Sequence, residues 1–299
     1  MRRLKVDPIR ENILNILVKI DSHEGYINVL LNNTLEKNKV IGRDAAFINE
    51  ITYGVTRNRN RLDWIISQYS TKKVYNMSIL IRNILRMSIY QLLFLSKVPN
   101  YAVCNESVQL AKKYGNAKTA NFTNAILRNI LRKKNEINWP NKEKDPVLFI
   151  AVIYSHPDWI IRRWIKRFGF ESTIEICKAN NKIPPLTVRT NTLKIKPSDL
   201  RNIFKKEEGS VEKGAFTEEA LYVKGISNIV KSSAFKEGLF QIQDESSILV
   251  SRLVNPSPGD FIIDICSAPG GKTTHLAQLM KNKGTIIAMD INRNKLKTV

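Results

Sequence analysis

The stretch DICSAPGGKTTH, residues 264–275, puts small and charged residues between an apolar run and a helical pattern. Its Gly-Gly-Lys-Thr ending is similar to the loop that binds nucleotide phosphates, G-x-x-x-x-G-K-[ST]. When the two are aligned on that ending, the first glycine of the phosphate pattern falls on Cys266. Pro269 also removes a backbone N–H group that would hold a phosphate. The stretch therefore predicts a ligand loop of another kind, and an ATPase is the less favoured interpretation.

The elements around this loop indicate what it binds. FIIDI (261–265) and TIIAMD (285–290) are predicted buried strands of a parallel sheet, joined by the loop and a helix. Ligands of such β-α-β-α units bind at the carboxyl ends of the strands, where Asp290 lies. A carboxylate there can accept hydrogen bonds from both ribose hydroxyls, and the N-terminus of the helix suits a ligand carboxylate. A ligand that has a ribose and a carboxylate, in a loop without phosphate-binding features, indicates S-adenosyl-L-methionine (SAM). The alternative is that Asp290 only caps the following helix.

The charge of the chain indicates a polyanionic partner. Lys+Arg number 48 against 27 Asp+Glu, which gives a net charge of +21 and a pI near 9.9. Because the excess is spread along the chain, a folded surface that meets nucleic acid is favoured over a basic tail. A generally lysine-rich proteome is the alternative explanation.

The cysteines and the hydropathy restrict the setting. Cys104, Cys177 and Cys266 are odd in number and widely spaced, so neither a disulfide framework nor a metal site is expected. Cys104 and Cys177 lie in helical patterns with apolar neighbours and are predicted core residues. No apolar run approaches the ~20 residues that a membrane span needs. We expect a cytoplasmic protein, a monomer, with no membrane and no metal partner.

Residues 8–134 show helical periodicity throughout, and 1–135 is predicted to be an all-α domain. In the helix predicted over 76–95, Arg82 and Arg86 are expected opposite the apolar face. Basic clusters, among them RNRNR (57–61), are hypothesised to form an RNA-facing surface. The clusters are RNRNR, Lys112 with Lys113, and Arg128 with Arg132, Lys133 and Lys134.

Beyond the helical part, two further regions are predicted. Residues 135–150 look like a boundary, and 156–169 form an amphipathic helix with one apolar and one cationic face. The apolar face is assigned Ile160, Ile161, Trp164, Ile165 and Phe168, and the cationic face Arg162, Arg163, Lys166 and Arg167. Residues 150–240 are predicted to be linker helices and a small α/β subdomain, and 241–299 to be the start of a doubly wound domain.

Several motifs together carry a family resemblance. DICSAPGGKTTHLAQL (264–279) resembles the first SAM motif of the RNA (cytosine-5) methyltransferases, D-x-C-A-A-P-G-G-K-T-x-H, and FQIQDESSILV (240–250) resembles the segment before it. Three helical segments resemble the NusB-like domain fused to one branch of that family, which methylates cytosine in small-subunit ribosomal RNA: 48–66, 81–113 and 120–131. The resemblance implies a multi-domain protein with a NusB-like domain, a small α/β region and the first β-α-β-α part of a Rossmann-like SAM-dependent domain.

The resemblance also implies which residues bind the cofactor. Those assigned to the SAM pocket are Cys266, Ser267, Ala268, Pro269, Gly270, Gly271 and Lys272, with Asp290 on the ribose. In this family a cysteine thiolate adds to C6 of cytosine so that C5 can take the methyl group, and that cysteine belongs to motifs on later strands. We expect that cysteine beyond Val299, in a chain truncated at its C-terminus and therefore inactive. A non-catalytic NusB-like RNA-binding module is the alternative function.

Overall fold

The structure is a computed structural model that describes residues 6–206, 209–226 and 229–299. The chain divides into two compact units, which meet in sequence between Lys182 and Ile183. Each unit has a hydrophobic core of its own. Within the described ranges, no helix combines the length and the apolar character needed to cross a membrane.

Seven α-helices follow one another in residues 8–132 of the first unit, which confirms the helical character predicted for residues 8–134. They are α1 (Pro8–Asp21), α2 (Ile27–Lys37), α3 (Gly42–Arg57), α4 (Arg59–Tyr69), α5 (Ile79–Phe94), α6 (Asn100–Tyr114) and α7 (Ala117–Arg132). Capping side chains fix several helix starts: Asp7 accepts a hydrogen bond from the Ile9 N–H, and Asn116 accepts one from the Thr119 N–H. Such caps satisfy N–H groups that have no partner within the helix.

Helix α5 is buried on nearly every side, so the prediction that Arg86 lies on an exposed face is wrong. Arg86 is only 3% exposed. Its guanidinium donates to both carboxylate oxygens of Asp63, each at 2.7 Å, and to Asp21 at 3.0 Å. Arg82 donates to Asp21 at 2.6 Å. Because α5 packs against α1, α3, α4, α6 and α7, its cations need carboxylates inside the unit.

Part of the RNRNR cluster also has a structural role inside the first unit. Arg59 forms an ion pair with Asp21 at 2.9 Å. The Arg61 guanidinium lies 5.2 Å from the centre of the Phe94 ring and 5.0 Å from that of Trp139. Burial lowers the pKa of Arg61. Both side chains are therefore engaged within the unit.

Three further helices complete the first unit: α8 (Pro146–Ile153), α9 (Asp158–Phe168) and α10 (Phe170–Asn181). They share a small core that includes Ile150, Ile161 and Cys177, so the prediction for Cys177 is confirmed. Helix α9 is the predicted amphipathic helix, but Phe168 is 45% exposed instead of packed on the apolar face. The reason is that α9 ends there, and Gly169, at φ +80°, redirects the chain.

The second unit begins with the predicted small α/β region. Its elements are β1 (Leu186–Thr190), α11 (Pro197–Lys206), β2 (Ser210–Lys213), β3 (Ala220–Lys224), α12 (Ser233–Lys236) and β4 (Phe240–Ile242). The strands form an antiparallel sheet in the order β2-β3-β1-β4, with Val188 of β1 opposite Leu221 and Ile242. Strand β2 was not predicted, because its short sequence, SVEK, buries only Val211. The sequence SDLRNIFKKE (198–207) itself predicts a helix at the position of α11, and its last residue lies outside the described residues.

The last elements are α13 (Glu245–Val254), β5 (Phe261–Asp264), α14 (Gly271–Leu279), β6 (Thr285–Ala288) and α15 (Arg293–Leu296). Strands β5 and β6 pair in parallel, with Ile262 opposite Ile286, as the β-α-β pattern predicts. The prediction that both strands are buried is wrong for the described part of the chain, where Phe261 is 64% and Ile263 54% exposed. Alternate side chains of a strand point to opposite faces, and the described residues cover one face of this pair.

Candidate cofactor site

The loop after β5 is tied by its backbone to the end of β6. The Met289 N–H donates to the Asp264 carbonyl at 2.8 Å, and the Ser267 N–H donates back to the Met289 carbonyl at 2.9 Å. Ser267 adds a side-chain hydrogen bond to the same carbonyl at 3.0 Å. These bonds extend the parallel pairing past the strands and bring the two strand ends together, where such units bind ligands.

Asp290 lies directly against this loop, so the structure brings together the residues that the sequence assigns to the cofactor. Its carboxylate accepts hydrogen bonds from the Ala268 N–H at 3.1 Å and from the Asn292 N–H at 2.8 Å. Each oxygen accepts one of these bonds, and a carboxylate oxygen has a second lone pair. Asp290 is thus held in place and can still accept hydrogen bonds from a ligand.

The start of α14 presents positive charge beside Asp290. Gly270 adopts φ +99°, a left-handed conformation that glycine takes without strain, and α14 begins at Gly271 with no side-chain cap. Its first N–H groups therefore remain available to an anion. Lys272 is exposed and forms no ion pair with any described residue. A ligand carboxylate would be stabilised here.

Asp264 and Cys266 have different environments in the loop. Asp264 accepts a hydrogen bond from the Thr273 hydroxyl at 2.6 Å, which joins β5 to α14. Cys266 is exposed. Its backbone N–H donates a hydrogen bond to the Asp264 carboxylate at 3.3 Å. The Cys266 thiol thus belongs to the loop of residues 266–272.

The sequence analysis missed the residue that anchors the start of α14. Arg189, in β1, is 4% exposed, and its guanidinium donates to the Gly271 carbonyl at 2.6 Å and to the Thr274 hydroxyl at 3.1 Å. It also donates to the side chains of Gln241, at 3.0 Å, and Gln243. Burial lowers the pKa of Arg189 to about 10, although Glu219 opposes that shift. An arginine inside the apolar strand sequence LTVRT was the available signal, since a buried cation requires acceptors.

A second buried polar group connects Glu219, the residue before β3, to α13 and α14. His275 Nε2 lies 3.1 Å from Glu219 Oε1, and Arg252 donates to both oxygens of that carboxylate at 2.8 and 2.6 Å. Burial alone would raise the pKa of Glu219, but the hydrogen bonds from His275 and Arg252 lower it to about 2. Burial lowers the pKa of His275. Its Nδ1 is buried without a hydrogen-bond partner among the described residues, so a proton there would have no acceptor.

We predict that acid destabilises the second unit through this group. Because the pKa of His275 is lower in the folded than in the unfolded chain, the unfolded chain binds more protons as pH falls below about 6.5. Glu219 acts in the same direction below about pH 4.5. The melting temperature should therefore fall between pH 7.5 and 5, and His275→Gln should flatten this dependence. If the melting temperature rose toward pH 5 in the unsubstituted protein but not in His275→Gln, the prediction would be wrong. His275 and Glu219 would then form an ionised pair.

Comparison with known protein families identifies three domains along this chain. The NusB family matches residues 7–132, the RsmF/B-like ferredoxin-like methyltransferase domain matches residues 156–229, and the 16S rRNA methyltransferase RsmB/F family matches residues 251–299. The three matches follow one another along the chain. The protein combines a NusB domain with RsmB/F methyltransferase domains. The resemblance noted in the sequence is thereby confirmed.

The curated relatives that match this chain are longer than it. The probable ribosomal RNA small subunit methyltransferase B of Bacillus subtilis is 33% identical over 299 residues, which cover 99% of this chain and 65% of that protein. The corresponding protein of Synechocystis is 31% identical, over 92% of this chain and 61% of its own length. The chain thus spans somewhat less than two thirds of these relatives.

A solved structure shows the same fold. The crystal structure of PH0851 superimposes with a TM-score of 0.75 at 24% identity, over 98% of this chain and 66% of that one. At this level of identity, the likeness concerns the fold alone.

Proposed function

We propose that the loop of residues 266–272, together with Asp290, binds SAM. The support is the position of Asp290: its carboxylate is fixed against the Ala268 N–H at 3.1 Å, where ribose hydroxyls can reach it. The uncapped start of α14 and Lys272 suit the methionine carboxylate. Cys266 stands where a phosphate loop has its first glycine, and Pro269 has no backbone N–H to donate to a phosphate. The loop therefore lacks the groups that would bind the phosphates of ATP.

We propose methyl transfer to cytosine C5 of 16S ribosomal RNA as the activity of the whole protein. The matched relatives are small-subunit ribosomal RNA methyltransferases, and SAM supplies the methyl group when it is bound. In our assignment, residues 1–135 form an RNA-binding domain and 150–240 the linker helices and α/β subdomain. Residues 241–299 are the Rossmann-like cofactor part. The net charge of +21 supports the RNA partner.

We further propose that these 299 residues bind SAM without turning it over. C5 methylation requires a thiolate that reaches C6 of the base. Burial raises the pKa of the half-buried Cys104 and raises that of the buried Cys177 to about 11, which disfavours both thiolates. Cys266 is exposed but lies in the cofactor loop. A nucleophile there would face the methyl donor instead of the base.

Asp290→Ala tests the cofactor site. We expect it to weaken SAM binding at least tenfold, about 1.4 kcal/mol, because the ribose loses its charged acceptor. Isothermal titration calorimetry measures the affinity, and Asp199→Ala, an exposed carboxylate on α11, is the control. Equal SAM affinity of the Asp290→Ala variant and the unsubstituted protein would refute the assignment of Asp290.

Transfer of labelled methyl groups tests the proposed reaction separately. The 299-residue protein, incubated with methyl-tritiated SAM and 16S ribosomal RNA, is expected to leave the RNA unlabelled while it binds SAM. Label in cytosine C5 would contradict the proposed lack of turnover and leave the cofactor site standing. RNA binding without any SAM binding would favour the alternative, a non-catalytic RNA-binding module.

A further inference from the structure

Helix α9 carries an exposed stripe of one aromatic and four cationic side chains. Residues three and four apart share a face of a helix. Trp159, Arg162, Arg163, Lys166 and Arg167 have this spacing, and all five are exposed. At 1.5 Å per residue the stripe is about 12 Å long. We call these five residues the α9 stripe.

The cations of the α9 stripe are not neutralised by a carboxylate of any described residue. None of the four forms an ion pair with a described residue, and Asp158 at the start of the helix forms none either. By contrast, Arg59, Arg86 and Lys113 are all paired with carboxylates inside the first unit. The stripe is therefore a local concentration of unneutralised positive charge, which favours a polyanion.

Trp159 gives this charged surface an unusual chemistry. Its side chain is 64% exposed although tryptophan has a large apolar ring. Arg167 lies over the Phe168 ring at 5.3 Å, so the far end of the helix also presents an aromatic face. Cations that track a phosphate backbone, combined with a ring on which an unpaired base can stack, are the components of single-strand recognition.

The packing of α9 argues against a membrane surface as the partner. An amphipathic helix binds a bilayer by burying its apolar face in the lipid. In α9 that face is already used: Ile161 is fully buried, and Ile160, Trp164 and Ile165 pack against the same core. The helix thus offers its partner the cationic face with Trp159 and Phe168, while its main apolar face is covered.

We propose that the α9 stripe binds single-stranded RNA, with Trp159 as the stacking platform and the four cations on the phosphates. This inference rests on the proposed function, which makes RNA the partner. It adds the position of a contact surface and the strandedness of the RNA that occupies it.

Fluorescence anisotropy with a labelled single-stranded fragment of 16S ribosomal RNA tests this proposal on the 299-residue protein. Arg162→Gln with Lys166→Gln should weaken binding at low salt and reduce the slope of log K against log salt by about 1.4, since each phosphate contact on a single strand contributes about 0.7. The control is Lys205→Gln with Lys236→Gln, two exposed cations on α11 and α12 outside the proposed RNA-binding domain, which should keep the slope. Equal slopes for the stripe variant and the control would overturn the proposal.

Trp159 provides a readout that loss of charge does not affect. Trp159→Ala should weaken binding at least fivefold without changing the salt slope, and Trp159→Phe should restore most of the affinity because a ring remains. A duplex of the same sequence should bind at least tenfold more weakly than the single strand. Equal affinity for the duplex, or an unaltered affinity of Trp159→Ala, would overturn the stacking role.

The outcomes separate this inference from the proposed function. If the unsubstituted protein and all stripe variants bind RNA equally, the RNA-binding role proposed for the α9 stripe is wrong, and RNA remains the proposed partner. If the unsubstituted protein binds no RNA, both fail. If the stripe variants lose binding to vesicles of phosphatidylserine and phosphatidylcholine but keep RNA binding, the surface is a membrane contact and the inference is overturned.

Discussion

Arg189→Ala is expected to weaken SAM binding at least tenfold and to lower the free energy of unfolding of the second unit by about 3 kcal/mol. The guanidinium donates to the Gly271 carbonyl at 2.6 Å and to the Thr274 hydroxyl at 3.1 Å, so its removal frees the start of α14, which we propose binds the carboxylate of SAM. It also leaves the acceptors of Gln241 and Gln243 without this donor inside the unit. Calorimetric SAM titration and urea unfolding measure the two effects.

Lysine at the same position separates positioning from charge. Arg189→Lys retains the positive charge but replaces the planar group of five donors by a single ammonium group, which does not reproduce the four hydrogen bonds. We expect SAM affinity to recover only in part, while stability recovers more. If Arg189→Ala lowered the free energy of unfolding but left the SAM affinity unchanged, Arg189 would stabilise the fold without positioning the loop of residues 266–272.

Arg86→Leu is expected to lower the free energy of unfolding of the first unit by about 3–5 kcal/mol. The substitution removes the partner of Asp63 and one of the three arginines around Asp21, whose side chain is 4% exposed. Asp21 then stays inside the unit with fewer donors. Urea unfolding followed by circular dichroism measures the loss.

An exposed arginine of the same unit is the control for this prediction. Arg128 lies on the exposed side of α7, and Arg128→Leu should change the free energy of unfolding by less than about 0.5 kcal/mol. If Arg86→Leu were as stable as Arg128→Leu, leucine packing would compensate for the lost ion pairs. The network around Asp21 would then not be needed for stability.

The position of the loop of residues 266–272 beside Asp290 could be predicted from the sequence because its signals are local. Glycines, a proline and a Lys-Thr pair lie at fixed spacing between a strand and a helix. Asp290 lies at the end of the next strand along the chain. Parallel pairing of β5 with β6 then brings Asp290 to the loop, where its carboxylate accepts a hydrogen bond from the Ala268 N–H. Periodicity was similarly sufficient for the helices of the first unit.

The buried polar groups could not be predicted in the same way because their partners are distant in sequence. Arg189 contacts Gly271, 82 positions away, and His275 contacts Glu219, 56 positions away. Arg86 reads as an exposed cation on an amphipathic helix until the surrounding helices enclose it. For such residues the sequence shows that a partner is needed, and only the tertiary structure identifies it.

The most direct test of the proposed cofactor site is a pair of calorimetric titrations of the 299-residue protein, one with SAM and one with ATP. The geometry predicts that SAM binds and that Asp290→Ala weakens this binding at least tenfold, while ATP gives no heat of binding at the same concentrations. Binding of ATP with no binding of SAM would contradict it, since the loop of residues 266–272 would then hold phosphate.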